Sequence, residues 1–449
     1  MGRLFGTDGV RGIANSELTP ELAFKLGKAG AYALSRDKIR PVVLIGKDTR
    51  LSGDMLEDAL SAGILAVGGN VIKVGVLPTP AVAYLVKAYK ADAGVVISAS
   101  HNPFEYNGIK FFNGEGFKLD DRIEDEIEDI ILRDIDVNKH ITGEKLGRSL
   151  EADDDAEDRY ADFLKNTIDE DIRGIKLVLD CANGASYKVA EKVYSQLGAD
   201  ITVIGNEPNG VNINDHCGST HPEKLQHEVV KQGAFMGLAF DGDADRLIAV
   251  DEKGRIIDGD KLICICAKMM KDSGRLRDNR VTATVMSNIG FHKYLKNLGC
   301  SVDVTSVGDR YVLESMMKTG CLIGGEQSGH IIFLNHTTTG DGILSSLQLL
   351  QAVVMSGKKA SQLSDEIEIF PQVLRNASVK NENKDVFMDD DEIKAAVADV
   401  ENEVKGEGRV LIRPSGTEPL VRVMLEGQDV DHITDLADRL AELLTRKFG

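Results

Sequence analysis

Residues 236–251 read MGLAFDGDADRLIAVD, and this stretch decides the fold class. Two short apolar runs enclose a polar loop, a pattern that predicts two strands and not a helix. Similar runs elsewhere in the chain also end in polar, glycine-bearing loops, and amphipathic helical stretches separate them. This alternation of strand and helix is typical of α/β proteins.

The strand-like runs fall into three sets, which begin near residues 41, 174 and 279. We therefore expect three related α/β domains with mixed sheets, over residues 1–152, 153–255 and 256–368. Residues 369–449 change character and predict a smaller α+β domain. A chain of 449 residues is long enough for several hydrophobic cores, which agrees with this division.

The composition favours a soluble enzyme, with 42% hydrophobic and 28% charged residues. No apolar run approaches the roughly 18 residues that cross a bilayer, and the first residues form no apolar signal segment, so we expect a cytoplasmic protein. The net charge of -19 argues against nucleic acid as a partner. Any phosphate site must therefore be built from local cations and backbone N–H groups. The six cysteines lack zinc-site spacing, and we expect most of them to be buried thiols.

The loop of the opening stretch carries Asp241, Asp243 and Asp245 at alternate positions, followed by Arg246. Three carboxylates so spaced can converge on one hard cation. A solvated acidic turn is the alternative, but the apolar runs on both sides disfavour it. An EF-hand is rejected because its sixth position needs glycine and the flanks predict strands. Mg²⁺ bound together with a phosphate oxygen fits the loop better.

Two other loops carry polar groups in patterns that leave two interpretations open. The segment Arg413–Pro419 (RPSGTEP), with Arg422 beyond it, is either a hairpin turn or a phosphate cradle, and one loop can be both. The segment Gly324–His330 (GGEQSGH) suits recognition of sugar hydroxyls, but on these residues alone a flexible loop with an incidental histidine is the slightly better explanation.

Ser100 and His101 follow the apolar run of residues 95–97, where a strand meets a loop. They lack the G-x-S-x-G pattern of a hydrolase, and adjacent side chains in an extended loop point apart. Taken alone, this segment predicts a turn, because Asn102-Pro103 is a turn signal.

Four motifs occur in order along the chain: SASHNPFEYNGIK from residue 98, DGDADR from 241, GEQSGH from 325 and RPSGTEP from 413. In this order they resemble the α-D-phosphohexomutase superfamily from end to end. The opening FGTDGVRG and the segment TTTGDG resemble its bacterial branch that acts on glucosamine phosphates. Ala244 departs from that branch, which usually has glycine there, and we expect little consequence.

The resemblance implies four domains around a central cleft, each contributing one loop. It makes Ser100 the phosphoryl carrier and assigns Mg²⁺ to Asp241, Asp243 and Asp245 together with the phosphoserine. The reacting centre would be lined by Arg11, His101, Lys110 and Arg246, with Lys110 or His101 as acid or base. The sugar would be recognised by Glu326, Ser328 and His330. The second phosphate would be bound by Arg413, Ser415, Gly416 and Thr417, with Arg422 nearby.

The implied reaction interconverts glucosamine 6-phosphate and glucosamine 1-phosphate through a phosphoserine and a 1,6-bisphosphate. It would supply the synthesis of UDP-N-acetylglucosamine and of the cell wall. Phosphomannomutase or phosphoglucomutase activity is the alternative within the superfamily. An aspartyl-phosphate phosphatase that uses Asp241 is a further alternative, as is a sugar-phosphate-binding protein without activity. No membrane partner is expected, and a homodimer is an open alternative to a monomer.

Overall fold

The computed structural model describes residues 4–6, 8–34, 38, 40–138, 141–150, 155–384, 386–415 and 419–449. The chain divides into two compact units, residues 1–286 with 299–366, and residues 287–298 with 367–449. Among the described residues the strands form four sheets. No helix in these segments is both long and apolar enough to span a bilayer.

The first sheet lies near the N-terminus of the first unit. Its strands are β1 (Val10–Ile13), β2 (Val42–Lys47), β3 (Asn70–Val76), β4 (Ala93–Ile97), β5 (Tyr106–Asn113) and β6 (Ser149–Leu150), with helices α1 (Pro20–Leu34), α2 (Gly53–Ala66), α3 (Thr79–Ala88) and α4 (Asp121–Leu132). The strand order is β1-β5-β4-β2-β3-β6. The sheet is mixed, because β4 pairs parallel with β2 and antiparallel with β5. The continuous apolar run of β4 is buried along its whole length, as expected for a central strand.

The second sheet contains the stretch with which the sequence analysis began. Its helices are α5 (Ala156–Lys165), α6 (Val189–Gln196) and α7 (Glu223–Gln232), and its strands are β7 (Lys176–Asp180), β8 (Asp200–Ile204), β9 (Met236–Phe240), β10 (Leu247–Asp251) and β11 (Ile256–Ile257). The strand order is β11-β10-β9-β7-β8. β9 and β10 form an antiparallel hairpin around the acidic loop, whereas β7 pairs parallel with β8 and β9.

The third sheet follows in the chain and is also mixed. Its elements are α8 (Gly259–Asp272), β12 (Arg280–Thr284), α9 (Ile289–Asn297), β13 (Ser301–Thr305), α10 (Asp309–Thr319), β14 (Ile323–Gly325), β15 (Ile331–Phe333), α11 (Gly342–Ser356) and α12 (Ala360–Ser364). The strand order is β13-β12-β14-β15, with parallel pairing except between β14 and β15. Helix α9 belongs to the second compact unit.

The fourth sheet is small and antiparallel. Its strands are β16 (Gln372–Ser378), β17 (Arg409–Pro414) and β18 (Leu420–Glu426), accompanied by helices α13 (Asp391–Glu403) and α14 (Val430–Phe448). The strand order is β16-β18-β17, and the core is made of buried side chains from these strands and helices. The predicted fold class, three mixed α/β sheets and a smaller α+β domain, is therefore confirmed. The exact boundaries expected between the four domains stay predictions.

Candidate active site

Ser100 lies in the turn that follows β4, with its side chain buried. Its φ of 52° is in the left-handed region, which costs a non-glycine residue about 1–2 kcal/mol. The Ser100 Oγ donates a hydrogen bond of 2.6 Å to Asp241 Oδ2. His101 Nδ1 lies 3.3 Å from the Ser100 Oγ. The turn thus aims a hydroxyl from the first sheet at the acidic loop of the second.

The strained turn is held by a buried arginine that the sequence analysis did not identify. Arg50 donates hydrogen bonds to the carbonyl oxygens of Ser100 and Asn102, both at 2.9 Å, and of Pro103 at 2.6 Å. Its Nε lies 2.9 Å from Asp48 Oδ2, and both side chains are fully buried. One planar guanidinium therefore fixes three carbonyl groups of the Ser100 turn.

Ser98, to which the sequence analysis gave no role, completes this support. Its Oγ donates to Asp48 Oδ2 at 2.6 Å and accepts the Ser100 N–H at 3.0 Å. Asp48 and Arg50 directly follow β2, which runs parallel to β4 in the sheet. Since neighbouring parallel strands end at the same edge, the polar residues after β2 were the available signal for this contact.

The three carboxylates of the acidic loop converge as the sequence predicted. Asp241, Asp243 and Asp245 are buried, and one oxygen of each lies within 4.8 Å of the others. Among the described residues, Asp243 Oδ1 and Asp245 Oδ1 are buried without a hydrogen-bond partner. Burial and repulsion from Asp245 and Asp243 raise the pKa of Asp241 well above its ordinary value. Buried carboxylate oxygens that lack partners fit a hard divalent cation, so the loop could hold a metal.

Cationic side chains surround the acidic loop. Lys110 Nζ is fully buried and lies 2.9 Å from both Asp243 Oδ2 and Asp8 Oδ2. Burial lowers the pKa of Lys110, but attraction to these two carboxylates outweighs burial and raises the pKa above its ordinary value. Thr79 Oγ donates to the same Asp243 oxygen at 2.8 Å, a contact that the sequence did not indicate.

Arg11 and Arg246 each offer a buried N–H group to a ligand. Arg11 binds Asp8 through Nη2, whereas its Nε has no hydrogen-bond partner among the described residues. The Nε of Arg246 also lacks a hydrogen bond there, although it lies 3.8 Å from Asp245 Oδ1. Burial and the nearby Arg246 and Arg11 charges lower the pKa of His101 to about 4, so its imidazole is neutral at neutral pH. The structure therefore brings Arg11, His101, Lys110 and Arg246 together around Ser100.

The segment Glu326–His330 is joined to the acidic loop through its backbone. His330 pairs with Arg246 in an isolated antiparallel bridge, and Leu247 donates its N–H to the Gly329 carbonyl at 3.0 Å. A Cβ at Gly329 would lie 2.2 Å from the Leu247 carbonyl oxygen, so this contact requires glycine. Glu326 accepts the Gly308 N–H at 3.0 Å, and Ser328 is exposed.

The imidazole of His330 is buried and faces two carboxylates. Its Nδ1 lies 3.5 Å from Asp245 Oδ2, and its Nε2 lies 3.5 Å from Asp309 Oδ2. Burial lowers the pKa of His330, but Asp245 and Asp309 raise it more, and the net pKa lies above the ordinary value. In this position His330 contacts a candidate metal ligand, and its predicted role in reading the sugar stays a prediction.

The remaining predicted residues lie in the second compact unit. Arg413 and Arg422 are direct neighbours across the β17–β18 pair, which concentrates positive charge near the end of the hairpin. Ser415 is buried, donates its N–H to the Leu420 carbonyl and accepts a hydrogen bond from Lys384 Nζ, both at 2.9 Å. Gly416 and Thr417 lie outside the described residues. The antiparallel pairing of β17 with β18 on either side of residues 416–418 agrees with the hairpin interpretation, and the phosphate cradle stays a prediction.

Comparison with known proteins decides the family. Phosphoglucomutase/phosphomannomutase domain families match in order along the chain: alpha/beta/alpha domain I at residues 2–137, domain II at 158–254, domain III at 258–370 and the C-terminal domain at 374–443. Phosphoglucosamine mutase of Thermoanaerobacter sp. (strain X514) is 59% identical over 449 residues, which is 100% of both chains. The chain belongs to the phosphoglucosamine mutase family of the α-D-phosphohexomutases. Membership of the phosphoglucosamine mutase family makes it an isomerase that transfers a phosphoryl group.

Other relatives agree with the phosphoglucosamine mutase family and with its fold. Phosphoglucosamine mutase of Clostridium acetobutylicum is 57% identical over 447 residues and covers 100% of both chains. A phosphoglucomutase/phosphomannomutase family protein of Burkholderia thailandensis superposes with a TM-score of 0.82 at 22% identity, over 99% of this chain and 98% of that one. The Aspergillus fumigatus N-acetylphosphoglucosamine mutase superposes with a TM-score of 0.69 at 17% identity, over 99% and 96%. At such identities the solved structures support the fold alone.

Proposed function

We propose that the protein interconverts glucosamine 6-phosphate and glucosamine 1-phosphate, with Ser100 as the phosphoryl carrier. The observation that carries the proposal is the 2.6 Å hydrogen bond from Ser100 Oγ to Asp241, inside a cluster of three buried carboxylates. A serine hydroxyl placed there is poorly explained by structure alone, since its turn is strained at φ 52°. The names of the full-length relatives support the choice of substrate.

Asp241, Asp243 and Asp245 would hold Mg²⁺ together with an oxygen of phosphorylated Ser100. The solved A. fumigatus mutase is described in complex with GlcNAc-6P and magnesium, which supports this choice of metal. When bound, Mg²⁺ offsets negative charge on the phosphoryl group that is being transferred. The two carboxylate oxygens without hydrogen-bond partners, on Asp243 and Asp245, are suited to bind it.

Cationic side chains are required because the negative charge exceeds what one divalent ion can offset. Three carboxylates and a phosphoserine of about -2 sum to about -5, which Mg²⁺ reduces to about -3. Arg11 and Arg246 have N–H groups without hydrogen-bond partners among the described residues, and these can bind phosphate oxygens. Lys110 adds a fixed positive charge, since two carboxylates hold its ammonium group.

The reaction consists of two transfers that mirror each other. In the first, the bond between phosphorus and Ser100 Oγ breaks as phosphorus bonds to O1 of glucosamine 6-phosphate. O1 gives up its proton, and Ser100 Oγ takes one up. In the second, the 1,6-bisphosphate presents its other end, and Ser100 Oγ gives up its proton and bonds to the 6-phosphorus. The bond between this phosphorus and O6 breaks, and O6 takes up a proton. The imidazole of His101 is neutral, and its Nδ1, at 3.3 Å from Oγ, could accept the Ser100 proton in the tautomer that carries its hydrogen on Nε2. Protein positioning and charge stabilisation supply most of the catalysis in such transfers.

The substrate would be held at both ends while one end reacts. Glu326 and Ser328 would bind sugar hydroxyls. The phosphate that is not reacting would be bound by Arg413, Ser415, Gly416 and Thr417, with Arg422 beside them. The facing positions of Arg413 and Arg422 on the β17–β18 pair support this, because two guanidinium groups on one face of a sheet can bind phosphate oxygens together.

The proposal is tested by turnover and by the position of the phosphate. Purified protein, primed with glucose 1,6-bisphosphate and Mg²⁺, should convert glucosamine 6-phosphate faster than mannose 6-phosphate or glucose 6-phosphate. Peptide mapping should find an acid-stable phosphate on Ser100. Ser100→Ala should abolish turnover, whereas Ser16→Ala, at an exposed serine, should retain it.

Three outcomes would contradict the proposal. A preference for a neutral hexose phosphate would assign the chain to the phosphomannomutase or phosphoglucomutase activity. Release of inorganic phosphate with a phosphoaspartate at Asp241 would indicate a phosphatase. Binding without turnover after priming would indicate a sugar-phosphate-binding protein.

A further inference from the structure

A partly buried chain of three charged residues, Asp8, Lys118 and Asp309, lies beside the candidate active site. Lys118 Nζ lies 2.6 Å from Asp8 Oδ1 and also donates a hydrogen bond to Asp309 Oδ2. The three side chains are between 15% and 19% exposed. We call Asp8, Lys118 and Asp309 the bridge.

One end of the bridge reaches the reacting centre through Asp8. Whereas Asp8 Oδ1 accepts from Lys118, Asp8 Oδ2 lies 2.9 Å from Lys110 Nζ and accepts a hydrogen bond from Arg11. Burial raises the pKa of Asp8, but Lys110, Lys118 and Arg11 outweigh burial and hold it well below its ordinary value. Each oxygen of this carboxylate therefore has a separate set of cations, and the position of Lys118 restricts the orientation of Asp8.

The other end of the bridge is fixed by helix α10 of the third sheet. Asp309 is the first residue of this helix, and its Oδ2 also lies 3.5 Å from His330 Nε2. The preceding residue, Gly308, donates its N–H to Glu326. The bridge thus connects the N-terminal segment of the chain, through Lys118, to the segment that carries the predicted sugar-binding residues.

Stability does not account for this arrangement. Removing charged groups from water costs several kcal/mol per ion, and buried ion pairs are often no more stabilising than packed apolar side chains. Arg11 and Lys110 share one Asp8 oxygen, and Asp243 holds Lys110 as well. Such an arrangement is understandable where misplacing a cation by about 1 Å costs about 100-fold in rate.

We propose that Asp8, Lys118 and Asp309 are positioning residues that hold Lys110 and Arg11 in place for transfer of the phosphoryl group to and from Ser100. In this proposal Lys118 and Asp309 act through Asp8, and not through the 3.5 Å approach of Asp309 to His330. The proposal deepens the proposed function and rests on it.

The test compares Asp309→Asn with Arg310→Gln. Arg310 is the next residue of α10, and its side chain also connects the helix to the N-terminal region, through Asp121 at 2.6 Å and Glu124 at 3.4 Å. Its backbone N–H donates to Asp309 Oδ1 at 2.8 Å, and Arg310→Gln keeps this contact. We expect Asp309→Asn to lower kcat by about 10- to 100-fold and to leave KM for glucosamine 6-phosphate nearly unchanged. Arg310→Gln should retain kcat, even if it lowers the melting temperature as much.

Two further measurements separate positioning from folding. Lys118→Met should lose kcat as Asp309→Asn does, and Lys118→Arg should recover part of it by restoring the charge. The double variant Asp8→Asn/Asp309→Asn should lose no more kcat than Asp8→Asn alone, because both substitutions disturb the same chain of contacts. The rate of Ser100 phosphorylation by glucose 1,6-bisphosphate, followed by intact mass, should fall in parallel with kcat.

The results distinguish this proposal from the proposed function. If the wild-type protein takes phosphate on Ser100 but prefers a neutral hexose phosphate, the proposed function fails and the bridge is still tested by the phosphorylation rate. The positioning role of the bridge is contradicted if Asp309→Asn keeps the rate of Ser100 phosphorylation within about threefold of wild type. It is equally overturned if Arg310→Gln slows phosphorylation as much as Asp309→Asn.

Discussion

Arg50 makes the strained conformation of Ser100 possible. Its guanidinium donates to three carbonyl oxygens of the Ser100 turn and is oriented by Asp48. A lysine at this position would keep the charge, but a single ammonium group cannot reach three carbonyls in different directions. We therefore expect Arg50→Lys to displace the Ser100 turn and to lower kcat by about 10- to 100-fold, as measured by steady-state turnover.

The chain offers a matched control for this substitution. Arg173 binds Asp171 with the same two-residue spacing, through N–H and Nε bonds of 3.0 and 2.9 Å, but both side chains are exposed. Arg173→Lys should leave kcat unchanged, since exposed ion pairs contribute little. Equal losses in the two variants would contradict the role assigned to Arg50.

Ala244 occupies a backbone conformation that usually favours glycine. Its φ is 55° and its side chain is fully buried in the acidic loop. Ala244→Gly relieves about 1–2 kcal/mol of backbone strain, which stabilises the folded protein. It also raises the backbone entropy of the unfolded chain and removes a buried methyl group worth about 0.8 kcal/mol, and both of these effects destabilise the folded protein. We expect the free energy of unfolding to change by less than about 1 kcal/mol, as measured by urea unfolding.

A β-branched residue tests whether the positive φ at position 244 restricts which side chains fit there. Ala244→Val should destabilise strongly, because a β-branched side chain at positive φ is a severe outlier and the site is buried. If Ala244→Val were tolerated as well as Ala244→Gly, the left-handed conformation would not constrain this position.

At the scale of elements, the N-terminus of α11 carries a buried carboxylate. Asp341 Oδ1 caps the helix by accepting the Leu344 N–H at 2.9 Å, and Oδ2 accepts the Tyr160 hydroxyl at 2.7 Å. Burial raises the pKa of Asp341 to about 6, above the value of about 4 for an unfolded chain. The folded protein therefore binds more protons than the unfolded chain between these values, and the stabilising contribution is lost as pH rises through 6.

Asparagine can keep the cap without titrating, so Asp341→Asn should remove this pH dependence. Relative to Asp341→Asn, the wild-type protein should lose about 2–3 kcal/mol of stability between pH 4 and pH 7, because one pKa unit corresponds to about 1.4 kcal/mol. Urea-unfolding midpoints of both proteins across this range measure the difference. Asp429→Asn, at the exposed N-cap of α14, is the control for replacing a capping carboxylate by an amide. A constant difference between wild type and Asp341→Asn would contradict the assignment.

The sequence predicted elements better than it predicted their contacts. The apolar runs predicted β9, β10 and β4 correctly, because buried strands need continuous or alternating apolar residues. The apolar runs on both sides of the acidic segment also predicted that it is a loop between two strands. The contacts of Asp48, Arg50 and Ser98 were missed because they join residues about 50 positions apart through the parallel pairing of β2 and β4. His330 shows the same limit, since nothing local indicates that its imidazole faces Asp245.

At the scale of the whole molecule, local cations coexist with a net charge of -19. Arg11, Lys110, Lys118 and Arg246 lie around the acidic loop, and each contacts at least one carboxylate. Because charges beyond about 8 Å are largely screened at physiological salt, a phosphate near this cluster responds mainly to the local groups. The global charge therefore does not prevent an anionic substrate from binding here.

The two compact units have separate hydrophobic cores, which suggests separate unfolding transitions. Leu60 is fully buried in the core beneath the first sheet, and Leu436 is 1% exposed in the core of the fourth sheet. Each substitution to alanine should cost about 2–5 kcal/mol. In calorimetry of the full chain, Leu60→Ala should lower a transition of the first unit, and Leu436→Ala should lower that of the second.

Exposed leucines provide the controls for this comparison. Leu132 and Leu374 are 43% and 50% exposed, so their alanine variants should move neither transition by more than about 1–2 °C. A single transition that Leu60→Ala and Leu436→Ala lower equally would show that the units unfold together. Transitions that move independently would instead mean that the hairpin with Arg413 and Arg422 can lose its structure while Ser100 and the acidic loop remain folded.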